Sequence, residues 1–146
     1  MNFKDFLAHA HSGIRWIVLI LIIWSIVKAL TRKDSFEKND RLVYMFTMVS
    51  THIQLLIGFI LYFLSPKVQF HEGWMKTALF RFYGMEHLLG MLLAIVFITI
   101  GHIRYKKKEA PRAKHKTILI FYGIAFLLIL LFIRWPFRAI LNGSWY

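Results

Sequence analysis

The chain has 146 residues, of which 58% are hydrophobic and 17% aromatic, and its mean hydropathy is +0.55, a composition typical of a membrane protein with several spans. Its formal net charge at pH 7 is +12, and an excess of positive charge is expected where Lys and Arg flank membrane spans beside anionic lipid. We therefore expect membrane lipids as partners and no nucleic acid. The absence of cysteine excludes disulfides, thiolate metal sites and iron–sulfur clusters.

Four apolar runs predict four transmembrane helices, over about 7–30, 42–64, 83–103 and 117–133. The first run starts near Leu7 or Ser12 and ends at a polar stretch, and Pro66 follows the second. The predicted fold class is therefore all-α, a four-helix transmembrane bundle that forms a single domain over 1–146. No small-residue cleavage site follows the first run, so we expect no cleavable signal.

The segments between the spans have two different compositions. Residues 67–82 mix charges with aromatic side chains and predict a loop in the membrane interface. Residues 104–116 predict a basic loop that contains Pro111. Aromatic residues beyond the fourth span are predicted to anchor the chain at the interface, and these are Trp135, Trp145 and Tyr146.

The basic residues predict the orientation of the bundle. The first and third loops with their flanks hold 12 of the 19 Lys and Arg residues, and the other side holds the remaining seven. By the positive-inside rule, both termini lie outside and the two basic loops face the cytoplasm. The seven residues on the outer side are Lys4, Arg15, Lys67, Lys76, Arg81, Arg134 and Arg138.

Histidines within spans are costly and are therefore candidates for function. His87 lies roughly 6 Å inside the outer end of span three, and His11 has a similar depth if span one begins near Leu7. His52 lies roughly 18 Å deep, near the midplane. Two axial ligands must approach an iron from opposite faces at one depth, and neutral imidazole suits haem iron. The depths therefore predict His11 and His87 as axial ligands of one b-type haem, with His52 and His87 as the second choice.

The other histidines have simpler explanations. For His9, His71 and His115, near the interfaces, we favour hydrogen bonds across the bundle or contact with head groups. His102 follows His87 by 15 residues and shares its helix face to within about 60°, a spacing that would suit a second haem. The nearby candidate to complete that inner site is His115, in a basic loop, so one haem is preferred and two remain open.

Two charged residues accompany the predicted ligands. Arg15 follows His11 by four residues, about 40° round the same face, where its guanidinium could pair with a haem propionate. Glu86 could hydrogen-bond an imidazole or carry protons at a quinol site, although pairing with Arg81 would also satisfy it.

Four short segments resemble a known family, and they are H-S-G-I-R-W at 11–16, T-H-I-Q-L-L-I-G at 51–58, M-E-H at 85–87 and I-G-H at 100–102. The chain resembles small bacterial four-helix membrane proteins labelled cytochrome b-like, over nearly its whole length. The resemblance implies a haem b, electron transfer and a place in the bacterial inner membrane, with matched positions His11, Arg15, His52 and His87. The chain differs from the long respiratory cytochromes b, which carry two His on each of two helices, because no span other than the third offers a His deep on the cytoplasmic side.

The sequence thus predicts one-electron transfer, with a membrane quinol and a larger redox complex or a second copy as candidate partners. No hydrolase, transferase or nucleotide-binding motif is present. One alternative is a haem-free accessory subunit of a larger membrane complex. Another is a permease element in which His52, Glu86 and His102 form a polar path, which the unbroken spans disfavour.

Overall fold

The computed structural model describes residues 2–135 and residue 137, and within this part the chain forms four long helices. These are α1 (Phe3–Thr31), α2 (Lys38–Leu64), α3 (Ala78–Lys106) and α4 (Pro111–Phe132). Each is long and apolar enough to cross a membrane. The predicted all-α fold with four spans is confirmed. Three of the outer-side residues named above lie outside the described part of the chain, and these are Arg138, Trp145 and Tyr146.

The helices extend beyond the apolar runs that predict them. α1 begins at Phe3, where the Asn2 side chain accepts a hydrogen bond of 2.8 Å from the backbone N–H of Asp5. α4 begins at Pro111, which suits the first helical position because no N–H is needed there. Hydropathy marks the part of a helix in hydrocarbon, whereas its hydrogen bonds continue into the interface. The basic loop is therefore shorter than predicted.

Each long helix packs mainly against two neighbours. α2 and α4 each contact both α1 and α3, so α1 and α3 face each other along a diagonal of the bundle. The outward faces carry large apolar side chains that are exposed, including Ile20, Leu56, Leu93 and Leu127. Exposed apolar faces on four spanning helices are expected to contact membrane lipids.

Small residues bring α3 and α4 close together. A Cβ atom on Gly90 would overlap the ring of Phe132, and one on Gly101 would overlap Phe121. Close approach of backbones at small residues is the usual way in which membrane helices pack. The contact at Gly90 holds the end of α4 against the first turns of α3 that follow His87.

The two ends of the bundle differ in packing. At the end away from the start of α1, called the opposite end here, a hydrogen-bonded cluster fills the interior. The Nε2–H of His115 donates to the backbone oxygen of Ser35 at 2.8 Å, so its Nδ1 accepts from the Tyr44 hydroxyl at 2.7 Å. The Tyr122 hydroxyl donates to the backbone oxygen of Tyr44 at 2.9 Å. These bonds tie the first loop, α2 and α4 together.

A buried ion pair lies at the same end, between α1 and α2. Lys28 Nζ lies 2.7 Å from Asp40 Oδ1, and the Asp40 side chain is fully buried. Asp40 Oδ2 also accepts from the backbone N–H of Glu37 at 2.9 Å and lies 3.9 Å from Arg32. The carboxylate thus caps α2 and joins it to α1.

Candidate cofactor site

A cavity of about 380 Å³ lies at the end of the bundle where α1 begins and α4 ends, called the terminal end here. Its volume falls in the range of about 300–1,000 Å³ that is usual for small-molecule and cofactor sites. All four long helices contribute to its largely apolar lining, which includes His11, Thr51, Gly58, His87, Met91 and Ile129. The two histidines that share a predicted depth therefore also share a cavity.

His11 and His87 face each other along the α1–α3 diagonal. Their ring centroids are 6.3 Å apart and their ring planes are inclined by 79°. Two imidazoles that bind one metal ion from opposite sides, through bonds of about 2 Å, have ring centroids about 6 Å apart. The observed separation therefore matches the spacing that a pair of axial ligands requires.

A backbone carbonyl fixes the tautomer of His87. Its Nδ1 lies 2.8 Å from the oxygen of Phe132, the last residue of α4. Because a carbonyl oxygen only accepts, Nδ1 carries the proton, and in the neutral ring Nε2 keeps its lone pair. The Phe132 carbonyl has no partner within its own helix. Metal-binding histidines are usually held in this way, through the nitrogen that does not bind the metal.

A π-helical turn, Phe82–Glu86, directly precedes His87 within α3. Such turns are common at functional sites because the additional residue changes the direction of the side chains around it. The Tyr62 hydroxyl donates to the Gly84 oxygen within this turn at 2.8 Å. Tyr62 and Tyr83 both line the cavity. The turn therefore joins α2 to the part of α3 that presents His87.

Gly58 makes room for the ring of His11. A Cβ atom at Gly58 would lie 2.8 Å from Cε1 of that ring, well inside normal contact. Gln54 Nε2 donates to the His11 backbone oxygen at 2.7 Å. Among the described residues, two other buried atoms of this pair have no hydrogen-bond partner, His11 Nδ1 and Gln54 Oε1. Buried polar atoms without partners are rare and costly. Two of them on one cavity indicate a binding site.

Arg15 lines the same cavity, as its place on the His11 face predicts. It is 9% exposed, and its Nη1 donates to the backbone oxygen of Arg134 at 3.1 Å. Its guanidinium carbon also lies 5.0 Å from the centroid of the Trp16 ring. Arg15 thus links α1 to the segment that follows α4.

His52 and Glu86 do not line this cavity. His52 Nδ1 donates to the Met48 oxygen at 2.8 Å, and its Nε2 lies 3.3 Å from the Thr99 hydroxyl on α3. Glu86 accepts a hydrogen bond of 2.6 Å from Arg81 Nε. Both side chains therefore have partners that account for them without a cofactor, and their roles as reserve ligand and as proton carrier stay predictions.

At the opposite end, the histidines considered for a second haem are engaged with other groups. His102 Nδ1 lies 3.4 Å from the Tyr122 hydroxyl, and both ring nitrogens of His115 are hydrogen-bonded. The ring of Tyr105 packs 5.0 Å from that of His102. The structure thus gives these two histidines a place in a packed core, whereas His11 and His87 lie on a cavity.

Several candidate residues emerge only from the structure, and these are Gln54, Tyr62, Lys67 and the carbonyl of Phe132. Gln54 is the one for which the sequence holds a signal, because an amide inside an apolar span has to find a partner. The Phe132 carbonyl leaves no signal in the sequence, since every residue carries one.

The side chains on the cavity can be compared with the ligand sets of known metal and haem sites. Across the described residues there is no group of three or more His, Asp or Glu side chains that could hold a metal ion. Protein zinc sites need three or four such ligands, whereas a haem brings four nitrogen ligands of its own and needs two at most from the protein.

Comparison of the chain with protein-family models, curated proteins and solved structures finds no match.

Proposed function

We propose that this chain is a small membrane cytochrome that binds one haem b between His11 and His87 and takes part in one-electron transfer. The observation that carries the proposal is the separation of 6.3 Å between these two rings on a cavity of about 380 Å³. The donor set fits this group, because two imidazoles suffice as axial ligands. When bound, the haem would supply reversible one-electron chemistry.

The residues around the cavity have distinct parts in this proposal. Phe132 holds the proton of His87 on Nδ1, so that Nε2 is the nitrogen available to the iron. Gly58 leaves the space that the ring of His11 fills. The lining is largely apolar, and the polarity around a haem is one of the means by which a protein sets its reduction potential.

The proposal includes a bacterial inner membrane with both termini outside, as the distribution of basic residues favours. In that orientation the cavity lies toward the outer face. A membrane quinol or a redox partner at that face is the proposed source of electrons. Mixing the oxidised holoprotein with a short-chain quinol should reduce it on a timescale of seconds, and a protein that stays oxidised would rule out the quinol.

The axial ligands can be tested by absorption spectroscopy of the protein purified in mild detergent after expression with ample haem. The wild type should give the sharp reduced-minus-oxidised bands of a haem with two axial imidazoles. His11→Ala and His87→Ala should each abolish or shift these bands. His9→Ala is the matched control for α1, because His9 is exposed and does not line the cavity.

The possible outcomes distinguish a cytochrome from a haem-free accessory subunit. An unchanged spectrum for His87→Ala would contradict the ligand assignment. A folded wild-type protein with no haem band would contradict the cytochrome proposal and favour the haem-free accessory subunit. Circular dichroism of each variant shows whether loss of haem follows from loss of the helices.

A further inference from the structure

Basic side chains outnumber acidic ones on the cavity between His11 and His87. Four basic residues line it among the described residues, and Asp5 is the single acidic one there. Lys4 Nζ lies 3.9 Å from Asp5 Oδ1, so this pair adds little net charge. The remaining three basic residues, Arg15, Lys67 and Arg134, are called the cation group here.

The cation group comes from three separate segments of the chain. Arg15 lies on α1 and donates to the backbone oxygen of Arg134 at 3.1 Å, which brings α1 against the residues after α4. Lys67 lies in the loop after α2, with its Nζ 5.2 Å from the centroid of the Tyr83 ring. Burial lowers the pKa of Lys67, and the charge of Arg134 lowers this pKa further. Arg134 therefore lies near both Arg15 and Lys67, and the cation group gathers around it.

Several positive charges gathered at one cavity favour a ligand that carries negative charge. A ligand suited to this cavity therefore has two parts, an apolar body for the lining and anionic groups for the cation group. A quinone has an apolar body and no charge. A porphyrin with two carboxylates has both parts, and Arg in particular binds carboxylates through pairs of hydrogen bonds.

We propose that Arg15, Lys67 and Arg134 form a carboxylate-binding end of the cavity, which selects porphyrins whose two propionates are free. This inference rests on the proposed function, since it takes haem as the ligand. A fatty acid carboxylate or a lipid phosphate offers related chemistry, and the experiment distinguishes these sources.

The test uses the haem-free protein in neutral detergent with two iron-free probes, protoporphyrin IX and its dimethyl ester. Neither probe needs an axial histidine, and fluorescence titration gives both dissociation constants, with detergent micelles alone as the blank. The wild type should bind the free acid at least about 10-fold more tightly than the ester, as expected of charge-assisted hydrogen bonds.

Matched variants assign this preference to the cation group. Arg15→Gln and Lys67→Gln should each reduce the ratio of the two dissociation constants several-fold, and Arg15→Lys should restore part of it. Lys76→Gln is the control, because it removes an exposed positive charge that does not line the cavity, and it should leave the ratio unchanged. Equal affinity of the wild type for the acid and the ester would overturn the proposal, as would an unchanged ratio in both Gln variants.

Two further measurements distinguish a porphyrin from a lipid or fatty acid as the ligand, and this inference from the proposed function. Excess phosphatidylglycerol or oleate should leave porphyrin binding unchanged, and displacement that depends on Arg15 would assign the cation group to a lipid and overturn the inference. A haem spectrum that is normal in a protein with no preference for the free acid would refute this inference alone. A preference for the free acid in a protein that forms no haem band would refute the proposed function and leave the carboxylate site standing.

Discussion

Replacing Gly58 with Ala is expected to weaken haem binding while the helices remain intact. The new Cβ atom would lie 2.8 Å from Cε1 and 3.4 Å from Nδ1 of His11. Carbon atoms in contact are normally about 3.5–4.0 Å apart, so the ring must move by about 0.7–1.2 Å. The ring is the movable end of a side chain, and Ala favours a helix more than Gly does. The strain should therefore displace His11 and leave α2 folded.

The size of the effect follows from this displacement. Overpacking of this kind typically costs about 1–3 kcal/mol, which corresponds to a Kd about 5- to 150-fold higher when it acts on binding alone. Titration of the haem-free protein with haem, followed by absorbance, measures this Kd. The spectrum of the bound form should also change, because His11 no longer lies directly across from His87.

Gly123→Ala on α4 is the matched control, because no described atom lies within 4 Å of a Cβ atom built there. It adds the same methyl group to a spanning helix and should leave the Kd within about twofold, since substitutions away from special features change stability little. Equal Kd values and identical spectra for Gly58→Ala and Gly123→Ala would refute the placement of His11 against Gly58 in the haem-bound protein.

Three further changes test the rest of the structure. Lys28→Met leaves the buried carboxylate of Asp40 without its nearest cation and should lower the free energy of unfolding by about 3 kcal/mol. This value is at the lower end of the range for breaking a buried ion pair, because Arg32 stays nearby. An unchanged Tm in detergent would contradict the pair. Tyr44→Phe removes the hydroxyl that donates to His115 and should cost about 1–3 kcal/mol of stability without changing the haem spectrum, whereas a shifted spectrum would place a haem at the opposite end. His52→Ala should leave the haem bands in position, because both ring nitrogens of His52 lie against other groups, and loss of the bands would restore it as a ligand.

The four spans could be read from the sequence because bilayer thickness sets the length of an apolar helix. The same argument gives the depth of each histidine, since residue number along a spanning helix measures distance through the membrane. Depth alone selected His11 and His87 as a pair. In the structure the two residues line one cavity, with their ring centroids 6.3 Å apart, and their role as ligands stays a prediction.

The exact ends of the helices were less predictable from hydropathy. His115 belongs to a segment with basic neighbours that reads as a loop, yet it is nearly fully buried because α4 already begins at Pro111. Its burial depends on contacts with Tyr44 and Ser35, which are distant in sequence. Composition of a local segment carries no record of such partners.

What the sequence by itself determined is therefore position along the membrane normal: four spans, and two histidines at one level. Position within the plane was decided by the tertiary structure, because it depends on which helices are neighbours and on how each is rotated about its axis. The rotation of α2 turns His52 toward Thr99 and leaves Gly58 at the ring of His11. The end of α4 brings the Phe132 carbonyl to His87.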